Sequence, residues 1–179
     1  LYAQSGLEAE ISDNVQQAVP SVVTVLADQP VAKNDRNDKN LLSHFTSKPL
    51  DSVDREKRYI LVGTGLSLNE KGFIVTRSSV VENASAVKIR LWNGEETRAD
   101  MLGIDKGAVI VLLKIDSTQL PSLDYTKVDA YLTGSLALVI GNSLCVSPAI
   151  SVGNITSVSA DGSIQISANI DPGANGAPV

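Results

Sequence analysis

Leu7, Ile11, Val15 and Val19 recur every four residues near the start of the chain, with Glu8, Glu10, Asp13 and Gln17 among them. That spacing lays one apolar stripe along a helix and predicts a short amphipathic helix. Pro20 ends the pattern, because it has no amide N–H to continue a helical ladder. The β-branched run from Ser21 to Leu26 then predicts a strand. Between Asp28 and Arg58 the periodicity is lost, and residues 33–40 are almost all charged or amide-bearing. This predicts a long exposed loop. Leu41, Leu42 and Phe45 form an apolar island inside it, either a loop tip folded back on the body or a contact for a partner.

After Arg58 the period shortens to two. Residues 59–68 and 72–76 are apolar runs flanking the turn residues Asn69, Glu70 and Lys71, which predicts a hairpin. Val87, Ile89 and Leu91 alternate with Lys88 and Arg90, so that strand has one buried face, and Asn93-Gly94 closes it with a two-residue turn. Residues 108–113 are apolar at every position and predict a central strand buried on both sides. A polar connector containing Pro121 covers residues 116–129. Strands at 134–140, 149–158 and 163–167 follow, the last after an Asp161-Gly162 turn. Many short strands, close turns and little helix predict an all-β barrel architecture, with the connector as the boundary between two barrels.

Composition narrows the function classes. The chain has 179 residues, 43% apolar and 20% charged, which is ordinary for a globular protein. A net charge of −5 argues against nucleic acid, which requires a concentrated basic surface. No stretch is long and apolar enough to span a membrane. The single cysteine, Cys145, cannot form an internal disulfide and reads as a buried thiol rather than a nucleophile. Asp100, Asp105, Asp124 and Asp129 lack ligand spacing and read as turn and surface residues, so no metal and no cofactor is expected. Trp92 reads as a cap on the barrel end or as a binding aromatic.

The last nine residues, Asp171-Pro172-Gly173-Ala174-Asn175-Gly176-Ala177-Pro178-Val179, resemble the nucleophile loop of the HtrA/Deg serine proteases, typically Asn-Pro-Gly-Asn-Ser-Gly-Gly-Pro-Leu. Further stretches agree with that family in the right order. Gly63-Thr64-Gly65 and Gly72-Phe73-Ile74-Val75-Thr76 are similar to its Gly-Ser-Gly and Gly-Tyr-Ile-Leu-Thr elements. Thr76-Arg77-Ser78-Ser79-Val80-Val81 is similar to Thr-Asn-x-His-Val-Val. Gly103-Ile104-Asp105 with residues 111–116 resembles Gly-x-Asp followed by Ala-Val-Leu-Lys-Ile-Asp, and Ile140-Gly141-Asn142 resembles Ile-Gly-Asn. The likeness runs over residues 8–179.

The resemblance implies a trypsin-like double β-barrel with a short N-terminal helix. Its divisions are an N-terminal helical segment at 1–20, a first barrel at 21–116 carrying the polar loop 28–58, and a connector with a second barrel at 117–179. In the family the second barrel is finished by strands beyond the nucleophile loop, so this chain is expected to hold that barrel incomplete, without those strands or the PDZ domain that often follows.

Carried over residue by residue, the catalytic histidine falls on Ser79, the aspartate on Val109 and the serine on Asn175. A serine nucleophile needs a neighbouring base, usually histidine, held by a third group. Asn175 has a neutral amide, Ser79 takes up no proton near neutral pH, and Val109 has nothing with which to orient a base. His44, the sole imidazole, stands 35 residues before Ser79 in the polar loop. A lysine base at Lys71, Lys88 or Lys114 acting on Ser78 or Ser79 requires desolvation, which their alternation with apolar neighbours does not provide. In the family, the backbone N–H groups corresponding to Gly173 and Asn175 form the oxyanion hole. Here these residues either retain that donor pair or simply form a tight turn.

The expectation is a non-catalytic HtrA-like pseudoprotease that binds protein or peptide or assembles with related subunits. The resemblance implies a homo-oligomer, a trimer built through the N-terminal segment, and an extracytoplasmic, periplasmic location. The opening Leu1-Tyr2-Ala3-Gln4 is compatible with the remnant of a leader or anchor. Two rivals stand beside it. One is a serine endopeptidase of the same family using other catalytic residues, and the other is a purely structural subunit.

Overall fold

The computed structural model describes residues 6–30, 58–107, 109–116, 120–123, 131–142 and 148–179. The loop island, His44 and Cys145 lie outside them, as do Asp124 and Asp129. The amphipathic stripe forms α1, Gly6–Ala18, and a 3-10 turn at Val19–Ser21 takes up Pro20 where the helix stops. Among the described residues nine strands follow: β1 Val22–Pro30, β2 Arg58–Ser67, β3 Phe73–Arg77, β4 Ala86–Arg90, β5 Glu96–Asp105, β6 Ile110–Ile115, β7 Leu136–Gly141, β8 Ala149–Val158 and β9 Ile164–Ile166. A short helical turn, α2 at Ser78–Val81, sits directly after β3. The fold is all-β.

The first six strands close into a barrel in the order β1-β2-β3-β6-β5-β4, every neighbouring pair antiparallel, with β4 returning to β1. Alternate residues turn inward, as a pleated strand requires. Val25, Ile74, Ile89, Val111, Leu113 and Ile115 fill the interior and are almost wholly buried. Leu120 from the connector joins them at 2% exposure and closes one end of the barrel. The other end carries α2, whose Val80 and Val81 belong to the same core.

The strands β7, β8 and β9 form a separate three-stranded sheet. Among the described residues it is open, so the second barrel is incomplete. Ile140 of β7 packs with Ala18 and Val22, which seats the sheet against the junction of α1 and β1.

Four expectations need correction. The first strand does not end at Leu26, and the loop does not begin at Asp28. β1 runs to Pro30 because it pairs with β2 along its whole length and with β4 through Asp28. The buried Gln29 donates through Nε2 to the Glu82 carbonyl at 2.8 Å, so pairing on both sides outweighs polar composition. The turn after β4 is not a two-residue turn. Gly94 N–H donates to the Leu91 carbonyl at 2.9 Å and Leu91 N–H to Glu95 at 2.8 Å, giving a three-residue loop, Trp92-Asn93-Gly94. Only Gly94 has positive φ (86°), whereas the two-residue type I′ turn requires it at both positions. The strand β6 is central, between β3 and β5, but only one of its faces is buried: Ile110 remains 43% exposed. Finally, Trp92 is 59% exposed beside the barrel end that Leu120 closes, so it does not cap it.

Candidate functional site

The ends of three elements meet at the α2 end of the barrel. The strand β3 stops pairing with β2 at Gly65↔Thr76, and beyond that point the chain turns into α2. This leaves the edge of β2 at Thr64 without a strand on that side. The C-terminal loop fills the place: Thr64 N–H donates to the Asn175 carbonyl at 2.8 Å, and Thr64 Oγ1 donates to the Gly173 carbonyl at 2.8 Å. The Thr64 carbonyl accepts from Thr76 Oγ1 at 2.7 Å. The loop enters as a 3-10 turn at Pro172–Ala174, and Asn175 leaves it extended (φ −61°, ψ 119°). Gly176 follows with φ 88°, and a Cβ there would overlap the Thr64 carbonyl oxygen and Thr76 Oγ1. Glycine is therefore required on both conformational and steric grounds.

Ser79 lies in α2 and is exposed, and the side chain of Asn175 reaches it: Asn175 Nδ2 donates to Ser79 Oγ at 3.0 Å. Val109 stands just before β6, and its carbonyl accepts the Ser78 N–H at 2.9 Å. The three positions singled out by resemblance are thus brought to one end of the barrel from sites far apart in sequence. Ser79 and Asn175 touch directly, and Val109 reaches the same turn through its backbone. Val109 has φ 57° and is 42% exposed.

The lysines are elsewhere. Lys114 pairs with Phe73 at the opposite end of β3, its Nζ donating to the Ile115 carbonyl at 2.6 Å and lying 5.7 Å from the Phe73 ring centre. Lys71 is in the β2–β3 turn at that same far end, and Lys88 is an exposed residue of β4. Asp100 faces Lys114 in register, and Asp105 Oδ1 accepts the Gly107 N–H at 2.8 Å in a turn. Among the described residues no cluster of three His, Cys, Asp or Glu side chains is arranged to hold a metal ion. No helix among them is long and apolar enough to cross a membrane.

Two residues of the site escaped the sequence reading. Thr64 was visible only as the middle of a Gly-Thr-Gly element, and Asn142 only as part of Ile-Gly-Asn. Asn142 N–H donates to Thr64 Oγ1 at 2.9 Å, and its Nδ2 donates to Thr24 Oγ1. Nothing local in the sequence announces bonds between residues 78 and 109 positions apart.

Residues 63–179 match the family profile of the trypsin-like peptidase domain. This chain belongs to that family. It is 30% identical over 132 residues to a probable periplasmic serine endoprotease, DegP-like, of Chlamydia trachomatis serovar D, an alignment covering 69% of this chain and 27% of the relative. An HtrA-type protease solved with a decapeptide superposes with a TM-score of 0.75 at 26% identity, over 93% of this chain and 53% of that one. The serine endoprotease from Yersinia pestis has the same fold, with a TM-score of 0.71 at 22% identity, covering 99% of this chain and 53% of that one. The chain is therefore a member of the HtrA/Deg group with a trypsin-like fold, and it spans about a quarter to a half of the length of these proteins.

Proposed function

We propose that this chain is a non-catalytic member of the HtrA/Deg group, a trypsin-like scaffold that binds protein or peptide without cleaving it. One observation carries the reading: the hydrogen bond from Asn175 Nδ2 to Ser79 Oγ, 3.0 Å. These are the positions that the resemblance assigns to nucleophile and base, and they are in contact, as a nucleophile and its base must be. Their chemistry is an amide and a hydroxyl. Neither accepts a proton near neutral pH, and the amide nitrogen donates rather than attacks. Val109, at the position assigned to the orienting aspartate, offers this pair only a backbone carbonyl, already bonded to Ser78.

Backbone donors at Gly173 and Asn175 are the chemistry left for such a site. N–H groups held in a bonded loop recognise a carbonyl or carboxylate oxygen without any reaction, and sheet edges accept an extended peptide by strand addition. The similarity to a protease solved with a decapeptide supports a peptide as the ligand. The relatives named as periplasmic endoproteases support an extracytoplasmic location. An oligomer, a trimer through the α1 segment, completes the proposal by the same resemblance.

The test is incubation of the purified chain with unfolded casein, together with a binding screen on a peptide array. The expected result is no cleavage above a buffer control, with reproducible binding that is lost when Gly173 or Asn175 is changed to a bulky residue. Cleavage abolished by a single substitution in this chain would instead establish the endopeptidase reading. Absence of any binding would leave a structural subunit.

A further inference from the structure

We propose that Thr64 is the positioning residue of the candidate site, joining the barrel, the second sheet and the C-terminal loop through one hydroxyl, so that the loop keeps its binding geometry only while β7 is seated on the barrel. The inference rests on the reading of that loop as a binding element, and goes beyond it to say what sets the loop's shape.

The side chain is fully buried, and all its polar atoms are engaged. Thr64 Oγ1 donates its one proton to the Gly173 carbonyl (2.8 Å) and accepts the Asn142 N–H (2.9 Å). A hydroxyl has one donor and two acceptor sites, so this oxygen bridges the loop and the residue following β7. The backbone of the same residue bonds the Asn175 carbonyl (2.8 Å) and receives Thr76 Oγ1 (2.7 Å). The carbonyls of Gly173 and Asn175 are therefore both fixed by Thr64. A peptide plane is rigid, so the two fixed carbonyls set the plane before Ala174 and the plane after Asn175, which bracket the one carrying the Asn175 N–H.

The three elements also meet sterically at this point. A Cβ on Gly141, the last residue of β7, would come within 2.7 Å of Ala174 Cβ. A Cβ on Gly63 would come within 2.5 Å of Val80 in α2 and 3.0 Å of the Asn175 carbonyl oxygen. The loop is thus wedged between α2 and the end of β7. Asn142 is tied down on its far side as well, through Nδ2 to Thr24 in β1. Displacement of β7 would withdraw the Asn142 N–H from Thr64 and loosen both carbonyl anchors together.

Native-state amide exchange, read by NMR on the whole chain, tests this with Thr64→Val, which keeps the shape without the hydroxyl, and Thr64→Ser, which keeps the hydroxyl. In Thr64→Val the amide at position 64 and that of Ala177 are expected to exchange at least about tenfold faster, the amides of Ile89 and Leu113 unchanged, and Thr64→Ser to restore the rates to within about twofold. Equal loop rates in the valine variant and the unaltered chain overturn the proposal. So does a valine variant in which barrel and loop amides accelerate together, since that is a merely structural role. If the valine variant does not fold, the unaltered chain decides. Protection of the Thr64 and Asn142 amides, each comparable to its barrel neighbours, supports the bridge, and fast exchange at Asn142 sinks it. The peptide array separates the two readings. Loop amides that respond without any peptide bound to the unaltered chain leave the positioning role standing and remove the binding reading. Peptide that binds the valine variant and the unaltered chain equally does the reverse.

Discussion

Val109 is held where its side chain is least suited to be. A β-branched residue at φ 57° is a genuine outlier, because its two γ-carbons crowd the backbone in the left-handed region. Two restraints hold it there: the Ser78 N–H bonded to its carbonyl and the first β6 pair, Arg77↔Ile110, one residue on. Strain of this kind costs on the order of 1–3 kcal/mol. Asparagine adopts that conformation readily, and with 42% of the valine exposed little apolar burial is lost. Val109→Asn is therefore expected to stabilise the chain by about 1 kcal/mol, a rise of roughly 2–4 °C in Tm for a domain of this size. Val109→Thr, equally branched, should change Tm little. Thermal unfolding of the two variants side by side checks this, and an asparagine variant no more stable than the threonine one refutes the strain. Asp161 gives a prediction of a different kind. The Ser163 N–H donates to its Oδ1 at 3.0 Å and holds the carboxyl below its ordinary value of 3.8. Because the folded value is the lower one, the carboxylate's contribution to the β8–β9 turn is present above that ordinary value and is lost as the pH falls through the depressed one. An NMR titration of the Ser163 amide is expected to show a midpoint below 3.8, and Asp161→Asn to flatten the titration.

At the scale of elements, a strand was legible where its pattern was local and obscure where its partners supplied the reason. The helix α1, the β2–β3 hairpin and the Asp161-Gly162 turn could be read directly, because apolar period and turn residues coincide there. The strand β5 could not. Its sequence, Glu-Thr-Arg-Ala-Asp-Met-Leu-Gly-Ile-Asp, buries only Ala99, and its register shifts between Met101 and Gly103. It is a strand because β4 and β6 each offer it an open edge. The loop at 172–178 is likewise defined by contacts from other elements, and its glycines can be used to measure them. Gly94 and Gly176 have nearly the same φ, 86° and 88°, but a Cβ at Gly94 would meet nothing within 4 Å, whereas one at Gly176 would strike Thr64 and Thr76. Replacing either by alanine incurs the same conformational cost, about 1–2 kcal/mol. Gly176→Ala is expected to lose a further 1–3 kcal/mol or so from overpacking. Chemical denaturation of the two variants isolates that difference, and equal losses would mean that the loop is not wedged against β2.

For the molecule as a whole, the barrel and the candidate site are separable in what the sequence reveals. Alternation and turns were enough for an all-β architecture. The location of the site came only from an ordered set of motifs, because Ser79, Val109 and Asn175 carry no pattern that would mark them on their own. That separation leads to the last prediction. If the fold alone conferred activity, restoring the nucleophile would be sufficient, and Asn175→Ser would produce a hydrolase. The chemistry requires more. A serine hydroxyl at 175 would stand one bond short of the amide nitrogen that reaches Ser79 Oγ at 3.0 Å, and a neighbouring hydroxyl is no base. Loss of one member of a triad costs several orders of magnitude in rate, and with only the serine returned the remaining loss is of that size. Asn175→Ser is accordingly expected to show no hydrolysis of an activated ester or of casein above the unaltered chain, and no burst of acylation. The measurement is pre-steady-state release of the ester's leaving group. A burst stoichiometric with protein would mean that some other group of this chain reaches position 175 as a base, and the inference that the site has lost its base would fall with it.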